Sequence, residues 1–390
     1  MFDFRAFLRF LRHWYLRAPW TRRRVAVAAA FVLVVPLVEV LIWMSLAADK
    51  LFFRGFVRQQ VTAPVFIVGN PRSGTTFLHR LLALDEARFS TMSMGEVLFA
   101  PSVTLRAAGG AIAALDRGLG RIFSRLRRKT EASWQERNVM HKVSLDAPEE
   151  DDYLLLHAWS ALTVGLSSGM LNEARAYTFF DQRIPAHRRD RIMAFYRRMV
   201  QRHLYARSGA TSYLAKNPAL TPKLATLFGH FPDARVICLV RNPLEMVPSY
   251  LSMMQFSWHA VGLNGDDPAL REYVIEMAKH WYSYPRRVLR DLPPDRYIFV
   301  RYEELVADPA ATVRRIYSHF NHEPDEDFAS RLEQEASRSR GFSSRHDYSL
   351  DALGLSEERL LAEFSDVMED LGYAPAAQTP PVPAAPSQKS

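Results

Sequence analysis

VFIVGNPRSGTTFLHRLLAL, residues 65–84, is the stretch on which the fold turns. Val65, Phe66, Ile67 and Val68 form an uninterrupted apolar run, the pattern of a short strand buried on both faces. Gly69 and Gly74 bound a turn that contains Pro71. Thr75–Leu84 then predicts a helix whose apolar face is Phe77, Leu78, Leu81, Leu82 and Leu84. The N–H groups of a first helical turn have no intrahelical acceptor, and the helix dipole is positive at that end. Strand, glycine-bounded turn and helix together therefore make a socket for an oxyanion.

The spacing of Gly69 and Gly74 is that of a nucleotide-binding P-loop, but the continuation differs. A nucleoside-triphosphate loop goes on with Lys, which reaches the β/γ-phosphates, and a Ser or Thr that binds Mg²⁺. Here Thr75 and Thr76 follow, and Arg72 is the cation of the loop. The socket is kept without the triphosphate and magnesium hardware. A donor with a 5′ phosphate-type anion and no γ-phosphate fits that pattern.

GNPRSGTTF resembles the 5′-phosphosulfate loop of the sulfotransferases, which use 3′-phosphoadenosine 5′-phosphosulfate (PAPS). The form PRSGTT is similar to the tyrosylprotein and carbohydrate-type branch, where Arg stands in place of the Lys of the cytosolic branch. A second stretch extends the resemblance. In FPDARVICLVRNPLEMVPSYLS, Val236–Val240 reads as a buried strand with Arg241 at its carboxyl end and Ser249 eight residues on, about two helical turns. Ligands of open α/β sheets bind beyond the carboxyl ends of strands, so Arg241 is placed for an anion. An Arg followed eight residues later by a Ser resembles the family's 3′-phosphate motif. The resemblance implies a P-loop-like three-layer α/β domain with a mostly parallel central sheet. It also implies donor contacts from Arg72, Ser73, Gly74, Thr75, Thr76, Arg241 and Ser249, with no metal.

One departure matters. The cytosolic enzymes carry a Lys-Thr-His stretch upstream of this strand, whose His is their base. Lys216-Asn217-Pro218 stands here instead. Glu96 follows Arg72 by 24 residues and sits just after Gly95. The tyrosylprotein branch has a Gly-Glu at a similar distance, and the resemblance implies that Glu96 is the general base. An acceptor hydroxyl must lose its proton as sulfur is attacked, and a carboxylate can take it. DAPEEDDYLLLHAW, residues 146–159, offers Glu149 and Glu150 as alternatives; its Pro148 and acids also read as a helix start.

Charge places the rest of the chain. Residues 1–60 hold ten basic and three acidic residues, a balance of +7 out of +8 for all 390 residues. The remaining chain is nearly neutral, so a polyanion-binding surface is not indicated and no nucleic-acid partner is expected. The basic residues flank Val25–Ala48, an apolar run of about 36 Å as a helix, enough to cross a bilayer core. It is interrupted by Pro36 and Glu39, and an intramembrane carboxylate needs a partner or water. A tilted or kinked span and a re-entrant anchor are the alternatives to a plain crossing. The first twenty residues read as a basic, amphipathic interfacial helix. Positive-inside asymmetry puts the N-terminus in the cytoplasm, although Lys50, Arg54 and Arg58 on the far side weaken it. The catalytic domain is expected at the cytoplasmic face in a bacterium and lumenal in a eukaryote.

The single cysteine, Cys238, lies inside the strand VICLV and reads as a small buried hydrophobe. Residues 183–207 read as a helix with Ile192, Phe195 and Met199 inward. Tyr297–Asp308 reads as a further strand and turn with a structural role. Ile122, Phe123 and Leu126, interleaved with Arg, read as a surface helix or a second membrane-contacting patch. Gly341–Leu350, with Arg345 and His346, reads as a polar loop, and 375–390 as a disordered Pro/Ala-rich tail. The domain plan is 1–60, basic segment and anchor; 61–374, sulfotransferase domain; and 375–390, tail. The expected activity is transfer of a sulfuryl group from PAPS to a hydroxyl of a lipid, glycan or other acceptor at a membrane. A P-loop kinase or NTPase, and a membrane-anchored nucleotide-binding scaffold, remain open alternatives on the sequence.

Overall fold

The computed structural model describes residues 2–16, 22–118, 147–207, 212–339 and 349–373. The basic stretch around Ile122, the loop with Arg345 and His346, and the tail lie outside the described residues.

Five strands form one parallel sheet in the order β2-β3-β1-β4-β5. They are β1 (Val65–Gly69), β2 (Phe89–Ser90), β3 (Ser212–Lys216), β4 (Arg235–Val240) and β5 (Tyr297–Arg301). The central β1 is buried at every position, as its unbroken apolar run predicts. Its side chains alternate between two cores. Phe66 and Val68 pack with Val236, Cys238, Tyr196 and Trp281 on one face. Val65 and Ile67 pack with Ile237, Leu239, Leu78 and Val313 on the other. The result is a three-layer α/β domain with helices on both faces.

Register fixes what emerges at the carboxyl edge. Ile67 lies opposite Lys216, Gly69 opposite Leu239, and Val240 opposite Arg301. Lys216, the Gly69 turn, Arg241 and Tyr302 therefore leave neighbouring strands side by side.

Helix α1 (Phe4–Leu16) and helix α2 (Arg22–Phe52) precede the sheet. Pro36 is accommodated inside α2, which runs past the expected Val25–Ala48 at both ends. Ile42 and Leu46 of α2 belong to the main core. Helix α3 (Thr75–Leu82) follows the turn and ends two residues before Leu84. The short α4 (Met94–Leu98) and α5 (Val103–Gly118) come next. The helix expected to start at Pro148 is a 3-10 helix, Asp151–Ala158. Its acids do not solvate a helix start: Asp151 and Asp152 are buried and bonded to other elements. Ile192, Phe195 and Met199 are buried on the helix Ala186–Tyr205.

Candidate active site

The turn after β1 is shaped by two glycines and one strained arginine. Gly69 has φ 128°, and a Cβ there would lie 2.1 Å from the carbonyl oxygen of Leu239. Gly74 has φ 85°, and its missing Cβ leaves room for the Tyr302 ring, which such an atom would approach to 2.7 Å. Arg72 between them is left-handed at φ 63°, a conformation that a non-glycine residue holds only when its surroundings impose it. Thr221 fixes the base of the turn: its hydroxyl accepts from Gly69 N at 2.9 Å and lies 3.1 Å from Gly69 O.

The two sequence motifs meet directly. Arg241 Nη1 donates to the Arg72 carbonyl at 3.0 Å, and Arg72 Nε donates to Ser249 Oγ at 3.1 Å. Asn242 caps the helix Pro243–Ala260 that carries Ser249, accepting from Leu244 N at 3.0 Å. The Arg241 guanidinium sits 4.4 Å above the Tyr302 ring and pairs with Glu245 at 2.8 Å. Its carbonyl accepts from Tyr282 Oη at 2.7 Å. Tyr302 thus touches both the Gly74 turn and Arg241, and sequence reasoning gave its segment only a structural part. The signal was its place directly after β5, whose end lies beside that of β4.

Ser73 Oγ and both polar atoms of the Asn70 amide are buried with no hydrogen-bond partner among the described residues. Buried polar groups are ordinarily satisfied, so these three atoms of one turn have hydrogen-bonding capacity to offer a ligand. His79, one turn into α3, is buried too. Burial and then the Lys216 charge push its pKa down to about 3, so the ring is neutral.

The three candidate bases are held differently. Glu96 completes a capping box with Ser93 at the start of α4, accepting from Ser93 N at 3.1 Å. It also faces the guanidinium of Arg106, Arg207 Nη2 at 3.2 Å and His203 Nδ1 at 2.9 Å. Burial and then Arg207 hold the pKa of His203 well below the ordinary imidazole range. The neutral ring then donates to Glu96 from Nδ1 and accepts from Ser90 Oγ at Nε2, 2.7 Å. Glu150 has Lys216 Nζ at 2.7 Å, and Glu149 lies 3.6 Å from the same ammonium. Lys216 ends β3 next to the phosphate turn, which puts this pair on the loop's flank.

Behind the pair, Asp151 accepts from Tyr213 Oη at 2.6 Å, Asn217 Nδ2 at 2.7 Å and the Tyr196 hydroxyl. Burial raises its pKa to about 6 against those hydrogen bonds. Lys223 pairs with Asp152 at 2.8 Å. A cavity of about 1500 Å³ lies between the helix Pro268–Leu289, β5 and the helix Glu357–Asp370 and is lined by none of these loop residues.

The sequence profile of the Sulfotransferase family matches residues 64–327, which spans both sequence motifs and the sheet. The chain belongs to the Sulfotransferase family. This sulfotransferase is 27% identical over 347 residues to the omega-hydroxy-beta-dihydromenaquinone-9 sulfotransferase Stf3 of Mycobacterium bovis, a match covering 83% of this chain and 79% of that protein. In fold it is similar to sulfotransferase STF9 from Mycobacterium avium, with a TM-score of 0.67 at 19% identity over 84% of this chain and 81% of the other. It is similar also to STF1 from Mycobacterium tuberculosis, with a TM-score of 0.66 at 20% identity, covering 93% and 91% of the two chains.

Proposed function

We propose that this sulfotransferase takes its sulfuryl group from PAPS and transfers it to a hydroxyl carried by a membrane lipid. The observation that carries the donor reading is the contact between the motifs: Arg241 on the carbonyl of Arg72, and Arg72 on Ser249. One bisphosphorylated adenosine can be held at both ends there. The backbone N–H groups of Ser73, Gly74 and Thr75, with the Thr76 hydroxyl, receive the 5′ phosphosulfate, and Ser73 Oγ and Asn70 gain the partners they lack. Arg241 and Ser249 receive the 3′ phosphate. In the transfer, the acceptor oxygen bonds to sulfur as the bond from sulfur to the bridging phosphate oxygen breaks. That oxygen leaves with the electron pair, as part of adenosine 3′,5′-bisphosphate, and Arg72 stabilises the charge it gains.

The proton of the acceptor hydroxyl goes to a carboxylate. Glu96 is committed to two guanidinium groups, the His203 ring and a helix cap, so its oxygens are already taken up by donors. Glu150, with one ammonium partner on the flank of the phosphate turn, suits the role better, and we assign it the proton. Glu96 then positions α4 beside the acceptor.

The lipid acceptor draws on the relative whose name specifies an omega-hydroxylated dihydromenaquinone, and on the apolar surface of α2. The test is incubation with labelled PAPS and fractionated lipid, glycan and peptide acceptors, followed by mass analysis. Gain of a sulfuryl group in the lipid fraction is expected; gain only in glycan or peptide overturns the acceptor. Competition with adenosine 3′,5′-bisphosphate, but not with ATP and Mg²⁺, is expected for the donor; the reverse overturns it.

A further inference from the structure

We propose that α1 and α2 dock this sulfotransferase flat on one leaflet of an anionic bilayer, with α2 lying along the boundary between headgroups and acyl chains instead of crossing it. The inference deepens the lipid-acceptor reading and rests on it for what the docking delivers.

Helix α2 has two unlike faces. Leu33, Leu37 and Met44, at helical spacing, are 73%, 72% and 65% exposed, whereas Ile42 and Leu46 are 0% and 3% exposed within the core of the enzyme. Polar bonds pin that inner face. Glu39, the carboxylate that looks wrong for a membrane span, binds His157 Nδ1 at 2.9 Å. Trp43 Nε1 donates to the carbonyl of His157 at 3.2 Å. Asp49, fully buried, pairs with Arg202 Nε at 2.9 Å and accepts from Thr104 N and Oγ1 at 2.8 and 2.7 Å.

The outer end of α2 is held as well. Phe31 packs on Phe10 of α1 at 5.4 Å and on Trp159 at 6.2 Å between ring centroids. Helix α1 is itself tied to the domain: Asp3 N donates to the Ala158 carbonyl at 3.0 Å, and Arg188 pairs with Asp3 at 2.6 Å. The enzyme thus lines one side of α2 from Phe31 to Asp49, through aromatic packing at Phe31 and through polar bonds at Glu39, Trp43 and Asp49. Crossing a bilayer along that length would drag His157, Arg202 and their neighbours into hydrocarbon, where charged and hydrogen-bonding groups are expelled. A leaflet that takes only the outer face requires no such burial.

Charge selects the occupant. Arg5 and Arg12 on α1, and Lys50, Arg54 and Arg58 at the far end, are exposed where the apolar stripe gives way to water. Cations at both ends suit anionic headgroups that surround an in-plane helix, and work against a second copy of the same basic surface. The stripe also continues onto the catalytic domain. His157, whose Nδ1 meets the Glu39 carboxylate, lies through Nε2 3.0 Å from the Val97 carbonyl, and the next two residues, Leu98 and Phe99, are exposed. They follow Glu96 on α4 and so lead from the bilayer surface towards the acceptor side of the site. Donor and acceptor are then reached from one side of the membrane.

Sedimentation of the full chain with phosphatidylglycerol vesicles tests the docking without reference to sulfuryl transfer. Binding is expected to be roughly tenfold or more weaker on phosphatidylcholine alone. The variant Leu33→Asp/Leu37→Asp/Met44→Asp is expected to lose vesicle binding with an unchanged thermal midpoint. Equal sedimentation of the variant, or a vesicle-indifferent dimer that buries the stripe, overturns the proposal. Single cysteines from Arg5→Cys and Arg58→Cys settle the geometry in membrane vesicles of either orientation. The native Cys238 gives no background, because burial pushes its pKa up to about 12. Both introduced cysteines are expected to react with an impermeant maleimide from the same face. Protection of one while the other reacts means that the helix crosses, and the proposal fails while the donor and acceptor assignments stand.

Discussion

At the scale of single residues, chemistry is concentrated in a few side chains. In the proposed transfer Arg72 faces the developing charge on the leaving phosphate, and removing one such group from a preorganised site slows turnover about 10²–10³-fold. Arg72→Ala is expected to lose at least that much in labelled-sulfate transfer; a near-normal rate removes the role. Ser249→Ala deletes the donor proposed for the 3′ phosphate and is expected to weaken adenosine 3′,5′-bisphosphate by roughly tenfold, read by calorimetric titration. The base assignment separates by kinetics. Glu150→Gln is expected to lower kcat about 10²–10⁴-fold and to remove the acid limb of its pH profile, with donor affinity kept. Glu96→Gln is expected to lower stability more than kcat, because it frees Arg106 and Arg207 from their shared carboxylate. The opposite ranking returns the proton to Glu96. The motif residues were legible as a string because their spacing is local. Tyr302 was not, since nothing near it in sequence says that its ring lies across Gly74 and under Arg241.

At the scale of elements, the turn and the acidic segment make separate demands. Gly69→Ala places a methyl group against the Leu239 carbonyl in a backbone conformation foreign to alanine. Strain of this kind is worth about 1–3 kcal/mol before the clash is counted, so a fall in chemical-denaturation midpoint is expected alongside loss of nucleotide binding. The segment after Pro148 gives a pH signature. Asp151 has its pKa raised from an ordinary 3.8 to about 6, chiefly by burial. The folded protein therefore holds a proton that the unfolded chain has already released. The stabilisation is complete below 3.8 and is lost as pH rises through about 6, an effect on the order of 3 kcal/mol. Asp151→Asn is expected to flatten that part of the stability curve, measured by thermal midpoint from acid to neutral pH. A curve that keeps the wild-type slope means that Asp151 is ionised in the folded state. The residues were visible in the sequence, but four consecutive acids looked like a solvated helix start. Partners as remote as Tyr196 and Tyr213 decide otherwise.

At the scale of the whole molecule, the N-terminal helices are part of the enzyme's packing. Asp49 and Arg202 have side chains 0% and 3% exposed, and removing one partner of such a pair typically costs about 3–5 kcal/mol. Asp49→Ala is expected to unfold at markedly lower denaturant concentration and to loosen α5, whose first residues it caps. A change within error means that α2 is a detachable anchor. An apolar run of this length reads alike in a spanning helix and in one with a docked face, because hydropathy counts residues and not the surfaces they meet. Glu39 was the one local sign of a docked face, and its partner lies 118 residues away.

The sequence by itself determined the glycine-bounded turn, the buried strands beside it and the reaction class. Each is encoded in short stretches where backbone geometry and residue chemistry are set by near neighbours. Tertiary structure alone decided that the two sequence motifs touch, that the candidate carboxylates have different cationic partners, and which face of the apolar helix is free. Those depend on strand register and on contacts between segments more than 100 residues apart, and no local pattern in a chain carries that information.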